Sequence, residues 1–475
     1  MNSYLFDRQD GCGKLPFSMD SATPAGAEGE DVPEVTASAL TVVPARGIEI
    51  ERWALLNDRL AACDPQDQDA LRDAIAWVYE AIADTPEWAL QDFDTFSEAM
   101  VAKDAIARAD EVAQGTVMVA EDSDLTAALR DAAVLLRALE LNFSEFGRYI
   151  ESDIDEELER QWQTTDGRHY VIPRLTPLAL IDGKPFLRRA LRDHRVIPTN
   201  VKGFAVRLHR STTAFDAAHA DEERGVGGRR YGAALFPGLS IKKVAAGDKL
   251  FLVDALTGFD AIKMVDVHLD QAEASQCRAL VWGELTMPKE RVDQVSDRMS
   301  GMGRPASSLQ YVIAGSWHRT VGGKMRNVAQ VLDGCGQPLF EIYKWAKFKI
   351  DSDVEAIEAG REVHLLIAED ELVLIAICRD FLQETGDVPY RYLNVDTAIV
   401  PSMTGALPDA ATMTGHAATA NTLRVRYGTR TLVVAQPAYA AKGAVGEILA
   451  LPEKPLREGS VAVHDAFFLC TLETL

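Results

Sequence analysis

The chain has 475 residues, of which 47% are hydrophobic and 25% charged, and its formal net charge is −23. This length is enough for two or three domains, and the composition is that of a folded globular protein rather than a disordered or fibrous one. Because so acidic a chain repels phosphate, its charge argues against nucleic acid and anionic membrane surfaces as partners.

The sequence shows none of the segments that mark secreted or membrane proteins. The N-terminus, MNSYLFDRQDGCGK, carries an early acidic residue and has no apolar core of the kind that a signal peptide requires. No apolar run approaches the roughly 18 residues of a membrane helix. The six cysteines lie far apart without a CxxC pair, so neither a zinc site nor a disulfide framework is indicated, and no cofactor is expected. We therefore expect a cytoplasmic protein with reduced thiols.

The N-terminal part of the chain divides into a tail and a helical region. Residues 1–47 are rich in Ala, Ser, Glu, Pro and Gly, a composition that buries little surface and predicts a flexible tail. Between 48 and 162 the pattern predicts a mainly helical domain. Apolar residues recur there at helical spacing, as at Leu71, Ile75, Val78 and Ile82, and again at Leu125, Leu129, Ala132, Leu136 and Leu139. The acidic run at 151–160 is typical of a solvated face, although it could also dock a basic partner.

The character of the sequence changes after residue 162. Residues 163–229 contain turn signals such as IDGKP and a polar, Gly-rich stretch at 216–232, which predict a connector with loops. From 230 to 475, short apolar runs alternate with helical patterns such as that at 259–276 and that in PKERVDQVSDRM. A turn at Asp333 and Gly334 predicts a hairpin. The region therefore predicts one α/β domain with a large mixed sheet.

Three residues of this domain stand out because each lies at or near the end of an apolar run. Glu284 follows RALVW, Lys344 follows the second strand of the hairpin, and Cys378 follows LVLIAI. Taken singly, each has a plain interpretation as a strand-end charge, a surface lysine or an inert core cysteine. Taken together, a carboxylate, an ammonium and a thiol form a complete set for acyl transfer, because they supply a proton acceptor, a stabiliser of negative charge and a nucleophile.

At these residues the chain resembles the nitrilase, or carbon–nitrogen hydrolase, superfamily, whose members carry a Glu-Lys-Cys triad. The resemblance covers residues 230–475, about half of the chain. Its segments, in the order usual for the family, are CRALVWGELTM for the strand with the base glutamate, YVIAGSW for the AGS strand, NVAQVLDGCGQPLFEIYKWAKF for the asparagine, hairpin and lysine, DVEAIEAGREV for a second glutamate, and LVLIAICRDF for the nucleophile.

The resemblance implies a fold and a reaction. The fold class would be α/β, a nitrilase-like α-β-β-α sandwich preceded by the mainly helical N-terminal domain. The reaction would be hydrolysis of a carbon–nitrogen bond in an amide, or less readily a nitrile, through a thioester on Cys378. Glu284 would take the thiol proton and return it to the leaving amine. Lys344 would stabilise the oxyanion together with the backbone N–H of Arg379.

Further roles follow from the same resemblance. Glu355 would be the second glutamate, which orients the lysine or the attacking water, and Asp380 would support the turn after the nucleophile. A helix predicted at RDFLQE would lower the pKa of Cys378 through its N-terminal field. Trp317 and His318, which end the AGS strand, could line the pocket.

The sequence also departs from the family pattern and leaves alternatives open. Gly283 stands where the family usually has proline, the segment after the nucleophile has only a loose equivalent in NTLRVRYGTRTLVVAQ, and the catalytic lysine could be Lys344 or Lys347. The chain could instead be a non-catalytic or regulatory module of the same fold, or an effector hydrolase in a bacterial stress or phage-defence system. The expected partners are a small amide or nitrile and, by resemblance, a second copy of the chain in a homodimer or larger assembly.

Overall fold

The computed structural model describes residues 46–86, 89–90, 94–120, 124–143, 160–174, 178, 185–211, 229–301, 308–350, 352–368, 371–382, 389–404, 414–439, 444–451 and 460–472. The described residues belong to one folded unit that begins at Arg46. The predicted tail and the acidic run at 151–160 lie almost wholly outside the described residues, as does most of the predicted loop at 216–232.

The described helices, in chain order, are α1 (Arg46–Leu60), α2 (Gln68–Ala83), α3 (Glu98–Ala113), α4 (Leu125–Phe143), α5 (Phe186–Arg189), α6 (Ala261–Ala274), α7 (Lys289–Ser300) and α8 (Thr414–Tyr427). Two 3₁₀ turns cover Cys378–Phe381 and Pro389–Tyr392. In α2 the Asp67 side chain accepts from the Asp69 N–H at 2.9 Å and caps the helix start. Among the described residues, no helix is both long and apolar enough to cross a membrane.

The described strands, in chain order, are β1 (His169–Pro173), β2 (His194–Pro198), β3 (Asn200–Val201), β4 (Phe204–Arg210), β5 (Arg229–Ala234), β6 (Ser240–Gly247), β7 (Leu250–Thr257), β8 (Ala279–Trp282), β9 (Tyr311–Ile313), β10 (Trp317–Val321), β11 (Lys324–Asp333), β12 (Pro338–Tyr343), β13 (Lys349–Ile350), β14 (Asp353–Glu355), β15 (Glu362–Ala368), β16 (Glu371–Ile375), β17 (Thr397–Thr404), β18 (Arg430–Pro437), β19 (Gly446–Leu451), β20 (Ser460–Val463) and β21 (Phe467–Leu472). The predicted hairpin is β11 with β12, which pair antiparallel.

Most strands form two large mixed sheets, so the expectation of one large sheet is wrong. A seven-stranded sheet has the order β10-β11-β9-β8-β5-β21, with β12 paired to β11. An eight-stranded sheet has the order β20-β19-β18-β17-β16-β15-β4-β3. The predicted end of the loop at residue 232 is also wrong. Strand β5 already begins at Arg229, and it pairs with β8 and β21.

The two sheets pack face to face, with helices on both outer sides. Along β16, Val373 and Ile375 belong to the apolar core between the sheets, whereas Leu372 and Leu374 belong to the core under the N-terminal helices and α8. This alternation follows from the two-residue repeat of a strand. A third core joins the outer face of the seven-stranded sheet to α6 and α7. The layers are therefore helix, sheet, sheet and helix, with apolar side chains on both faces of the central strands.

One apolar core spans three of the segments that the sequence separates. It contains Leu71 of α2, Val206 of β4 and Val433 of β18. Strand β4 pairs in parallel with β15, so residues of the predicted connector contribute a strand to the eight-stranded sheet. The boundaries at 162 and 229 stay a prediction.

Candidate active site

Glu284 lies just beyond the end of β8, at a point where the other sheet comes close. A Cβ atom on Gly283 would lie 2.8 Å from Gln436 Cβ and 3.1 Å from the Ser402 carbonyl oxygen. This close approach explains why glycine stands here, because proline would bring the same Cβ into that space. The Glu284 N–H donates to the Ser402 carbonyl at 3.1 Å. The Glu284 side chain is fully buried.

Lys344 follows β12 and carries its ammonium between two carboxylates. Its Nζ lies 2.5 Å from Glu284 Oε1 and 2.8 Å from Glu355 Oε2. Its backbone N–H donates to the Asn327 carbonyl at 3.0 Å, which holds Lys344 beside β11. Lys347, the alternative lysine, is exposed. The fold therefore brings Lys344, and not Lys347, to Glu284.

Glu355 ends β14 and is held by His318, a residue for which the sequence suggested only a place in the pocket wall. The His318 Nδ1 accepts from the Val253 N–H at 2.8 Å, so Nδ1 carries no proton. The proton is therefore on Nε2, which donates to Glu355 Oε1 at 2.8 Å. The Phe348 N–H donates to Glu355 Oε2 at 2.9 Å. Both oxygens of this buried carboxylate therefore accept hydrogen bonds.

Asn327 ties the two carboxylates to each other. Its Nδ2 donates to Glu284 Oε1 at 3.0 Å and to Glu355 Oε1 at 2.8 Å. Asn327 lies in β11, next to the β10 strand that carries His318. The signal in the sequence is the resemblance itself, because NVAQVLDGCGQPLFEIYKWAKF begins with the asparagine of the family pattern.

Cys378 opens the 3₁₀ turn that follows β16, with φ of 47°. A side chain other than glycine at positive φ costs roughly 1–2 kcal/mol, so the surrounding structure must hold it. Its Sγ lies 3.6 Å from the Met403 carbonyl oxygen, one residue along from the Ser402 carbonyl that anchors Glu284. The ring of His416, in α8, forms a hydrogen bond to the Cys378 backbone.

The expected activation of Cys378 by a helix is wrong. The described residues after β16 form only a four-residue 3₁₀ turn, Cys378–Phe381, and the chain is extended again at Leu382. Burial raises the pKa of the Cys378 thiol to about 12; the Glu284 carboxylate raises it further and the Lys344 ammonium opposes this. The side chain is only 4% exposed. The thiol is therefore protonated near neutral pH, and attack through sulfur requires a proton acceptor within the site.

The charges around Lys344 stabilise one another. Burial alone would lower the pKa of Lys344, but the Glu284 and Glu355 carboxylates outweigh it and raise that pKa. Burial alone would raise the pKa of Glu355, but Lys344 and His318 outweigh it and lower that pKa. Glu284 Oε2 is buried and has no hydrogen-bond partner among the described residues. That oxygen can accept a proton.

Asp380 and Arg379 connect the turn at Cys378 to the segment after Lys344. Asp380 Oδ1 accepts from the backbone N–H groups of Trp345 and Ala346 at 3.0 and 2.6 Å. Burial raises the pKa of Asp380 well above its usual range. The Arg379 guanidinium donates to the Lys347 carbonyl at 2.8 Å.

The neighbouring Trp317 packs in the core on the outer face of its sheet. Within the described parts of the chain, no group of three or more His, Cys, Asp or Glu side chains is placed to hold a metal ion.

No family model matches the sequence, and no curated protein matches it. Solved structures with a similar arrangement include an amidase from Nesterenkonia sp., at 14% identity and a TM-score of 0.38 over 52% of this chain and 92% of that chain. They also include a mutant of Nesterenkonia AN1 amidase from the nitrilase superfamily, at 13% identity and a TM-score of 0.37 over 52% of this chain and 92% of that one.

Proposed function

We propose that the chain is a carbon–nitrogen hydrolase that cleaves small amides through a thioester on Cys378. The proposal depends chiefly on one observation: the Lys344 ammonium is held between Glu284 and Glu355, and Glu284 keeps one buried oxygen without a partner. The layer order of helix, sheet, sheet and helix agrees with the α-β-β-α sandwich that the sequence resemblance implies.

In the first step the Cys378 sulfur attacks the carbonyl carbon of the amide. The new bond is C–S, the carbonyl π electrons move to oxygen, and the S–H proton goes to Glu284 Oε2. A thiolate formed without this transfer would place another negative charge beside a buried carboxylate, which is costly where water is excluded. The thiol pKa of about 12 therefore makes the transfer to Glu284 part of the attack.

The oxyanion of the tetrahedral intermediate is stabilised by Lys344. An ammonium has three N–H donors, and the two carboxylates account for two of them. We assign the third to the oxyanion, together with the backbone N–H of Arg379. Loss of one such donor typically lowers the rate by about 10²–10³. Glu355, fixed by His318 and Asn327, keeps Lys344 in this position.

The intermediate collapses when Glu284 returns its proton to the leaving nitrogen and the C–N bond breaks. Ammonia or an amine leaves, and the acyl group remains on Cys378 as a thioester. Water then attacks the thioester carbon while Glu284 takes one of its protons. The C–S bond breaks, sulfur regains a proton, and a carboxylic acid leaves. The sum is amide plus water giving acid plus amine, and the site ends as it began.

A nitrile is a second substrate class for the same residues, because its carbon is also open to attack by sulfur. A non-catalytic module is favoured by a different observation, which is the burial of Cys378. The effector role in a defence system is suggested only by the unusual helical N-terminal half, and the homodimer only by the sequence resemblance. Light scattering after size-exclusion chromatography tests the assembly.

The test is ammonia release from a panel of short amides and nitriles by three forms of the full chain. These are the wild type, Cys378→Ala, and Cys335→Ala as a control for loss of an exposed thiol. We expect ammonia from at least one amide with the wild type and Cys335→Ala, and none above background with Cys378→Ala. Equal release by Cys378→Ala would overturn the assignment of the nucleophile. No release from any compound would favour the non-catalytic module.

A further inference from the structure

A cavity of about 380 Å³ lies away from the site of Cys378. Its walls come from the C-terminal end of α2, from β1, β2 and β3, from the 3₁₀ turn at Pro389–Tyr392, and from the last turn of α8. None of the residues assigned to the reaction lines it. A volume of this size is at the lower end of the range for small-molecule sites, about 300–1,000 Å³.

Helix α8 separates the cavity from the candidate active site. His416 near its start bonds to the Cys378 backbone, whereas Arg426 and Tyr427 at its end line the cavity. At a rise of about 1.5 Å per residue, these two ends lie roughly 15 Å apart. The cavity is therefore a second site and not an extension of the first.

One side of the cavity is acidic. Glu80 and Asp84 lie one helical turn apart at the end of α2, and like charges at this spacing repel each other. Glu80 is paired with Arg168 at 2.7 Å. Burial and the Glu80 carboxylate raise the pKa of Asp84, and the positive charges of Arg52, Arg426 and His169 oppose this. The cationic group of a ligand at this wall would relieve the repulsion between Glu80 and Asp84.

The cavity lining also includes cationic side chains. The Lys202 ammonium lies 5.5 Å from the centre of the Tyr392 ring, and both residues line the cavity. Arg426 donates to the Ala83 carbonyl at 2.6 Å and to the Tyr427 hydroxyl at 3.0 Å, which fixes its guanidinium in the wall. A carboxylate is the group that these cations would attract.

The remaining wall includes the aromatic and aliphatic side chains of Tyr79, Val196 and Val201, together with the polar His169 and Asn200. A simple anion would meet the carboxylates of α2, and a simple cation would meet Lys202 and Arg426. A ligand with one charge of each sign and an apolar side chain complements the acidic side, the cationic side and the apolar part of the wall. We propose that this cavity binds a free α-amino acid with an aromatic or large aliphatic side chain, with its ammonium towards Asp84 and its carboxylate towards Lys202.

The first experiment is calorimetric titration of the full chain carrying Cys378→Ala, so that hydrolysis of a probe cannot interfere. The probes are L-phenylalanine, L-leucine, N-acetyl-L-phenylalanine without the ammonium, L-phenylalaninamide without the carboxylate, and phenethylamine. We expect a Kd below about 1 mM for one of the two amino acids and at least about tenfold weaker binding of each derivative. Binding of phenethylamine as tight as that of phenylalanine would contradict a zwitterionic site, and so would no binding of either amino acid at about 10 mM.

Variants then locate the binding. Asp84→Asn and Lys202→Asn should each weaken it at least about tenfold. Asparagine suits position 202 because Lys202 has φ of 52° and asparagine tolerates that region. The matched controls are Lys249→Asn, at a turn with φ of 53°, and Asp297→Asn, in the last turn of α7. Unchanged affinity in both cavity variants, or an equal loss in the controls, would overturn the assignment. The proposal is independent of whether Cys378 is catalytic.

Discussion

The two ends of β16 carry two buried clusters of charge that differ in one respect. At the start of the strand, Glu371 is surrounded by arginines. Just beyond its end, Cys378 lies beside the carboxylates that hold Lys344. Both clusters are buried and rich in ion pairs. They differ in whether a carboxylate oxygen has no hydrogen-bond partner among the described residues and can therefore accept a proton.

Every oxygen of Glu371 is engaged. Its Oε1 lies 2.8 Å from Arg430 and 3.0 Å from the Tyr231 hydroxyl. Its Oε2 lies 2.8 Å from Arg229 and 3.5 Å from Arg278. Burial alone would raise the pKa of Glu371, but the arginines outweigh it and lower that pKa. Because these partners come from both sheets, the cluster joins the sheets and leaves nothing to react.

In the cluster beyond the other end of β16, carboxylates outnumber cations. Two carboxylates share one ammonium, Glu284 Oε2 has no partner among the described residues, and a thiol lies close enough for its pKa to respond to both signs of charge. Burial of charge therefore does not by itself identify a reactive site. A buried carboxylate oxygen that has no hydrogen-bond partner and lies near a thiol is a better indicator of a reactive site.

The largest expected effect is that of removing the ammonium. Lys344→Met should lower kcat/KM on an active amide by about 10³ or more, because the oxyanion loses its cation. It should also lower the free energy of unfolding by about 3–5 kcal/mol, because two buried carboxylates lose their partner. Steady-state kinetics and urea denaturation measure the two effects. The control is Lys347→Met, which should stay within about twofold of the wild type because that side chain is exposed. A larger loss in the control would move the assignment to Lys347.

The next effect concerns His318, which we describe as a positioning residue because it acts through Glu355. His318→Ala should lower kcat about 10–100-fold with little change in KM. His318→Gln should recover much of the loss, because an amide N–H can also donate to Glu355. Equal activity of the two variants would argue that the ring serves packing alone.

Gly283 tests how closely the two sheets approach at the site. Gly283→Ala would place a Cβ atom 2.8 Å from Gln436 Cβ. We expect destabilisation of about 1–3 kcal/mol, measured by urea denaturation, because the atoms it meets include backbone. A variant as stable as the wild type would show that the sheets can separate there.

The smallest expected effect is on thiol labelling. At pH 8 iodoacetamide should modify the exposed Cys335 well before Cys378, as peptide mass spectrometry would show. With a pKa of about 12, Cys378 should then label about tenfold faster for each unit of pH up to roughly 11. An exposed thiol should level off above about pH 9. Rapid labelling of Cys378 at pH 7 would contradict the raised pKa.

The sequence identifies the residues at strand ends because an apolar run followed by a polar residue is a local pattern. Glu284, Lys344 and Cys378 were each found in this way, and the fold places them at one site. The bonds that His318 and Asn327 make to Glu355 could not be predicted, because β14 pairs with β7 and β13, and only the fold brings it close to β10 and β11. No local spacing encodes such contacts.

The conformation at Cys378 was unpredictable for a different reason. RDFLQE contains good helix formers, and propensity therefore favoured a helix after the nucleophile. In the structure Asp380 bonds instead to the backbone of Trp345 and Ala346, and the turn stops at Phe381. Tertiary contacts thus override helix propensity immediately after Cys378. The apolar runs alone predicted a single sheet, and only the resemblance implied two, because strands that are apolar on both faces do not reveal which sheet they join.

One paired measurement tests most directly whether the cluster around Glu371 is structural and the cluster around Glu284 is reactive. Glu284→Gln and Glu371→Gln are compared for kcat/KM on an active amide and for the free energy of unfolding. The account predicts that Glu284→Gln lowers kcat/KM by about 10³-fold or more. The free energy of unfolding should fall by less than about 1 kcal/mol, because Lys344 still has Glu355 as its ion-pair partner. Glu371→Gln should lose about 3–5 kcal/mol, because its arginines stay buried without a carboxylate, while the folded fraction keeps its activity. Equal losses of activity in both variants, or none in Glu284→Gln, would contradict it.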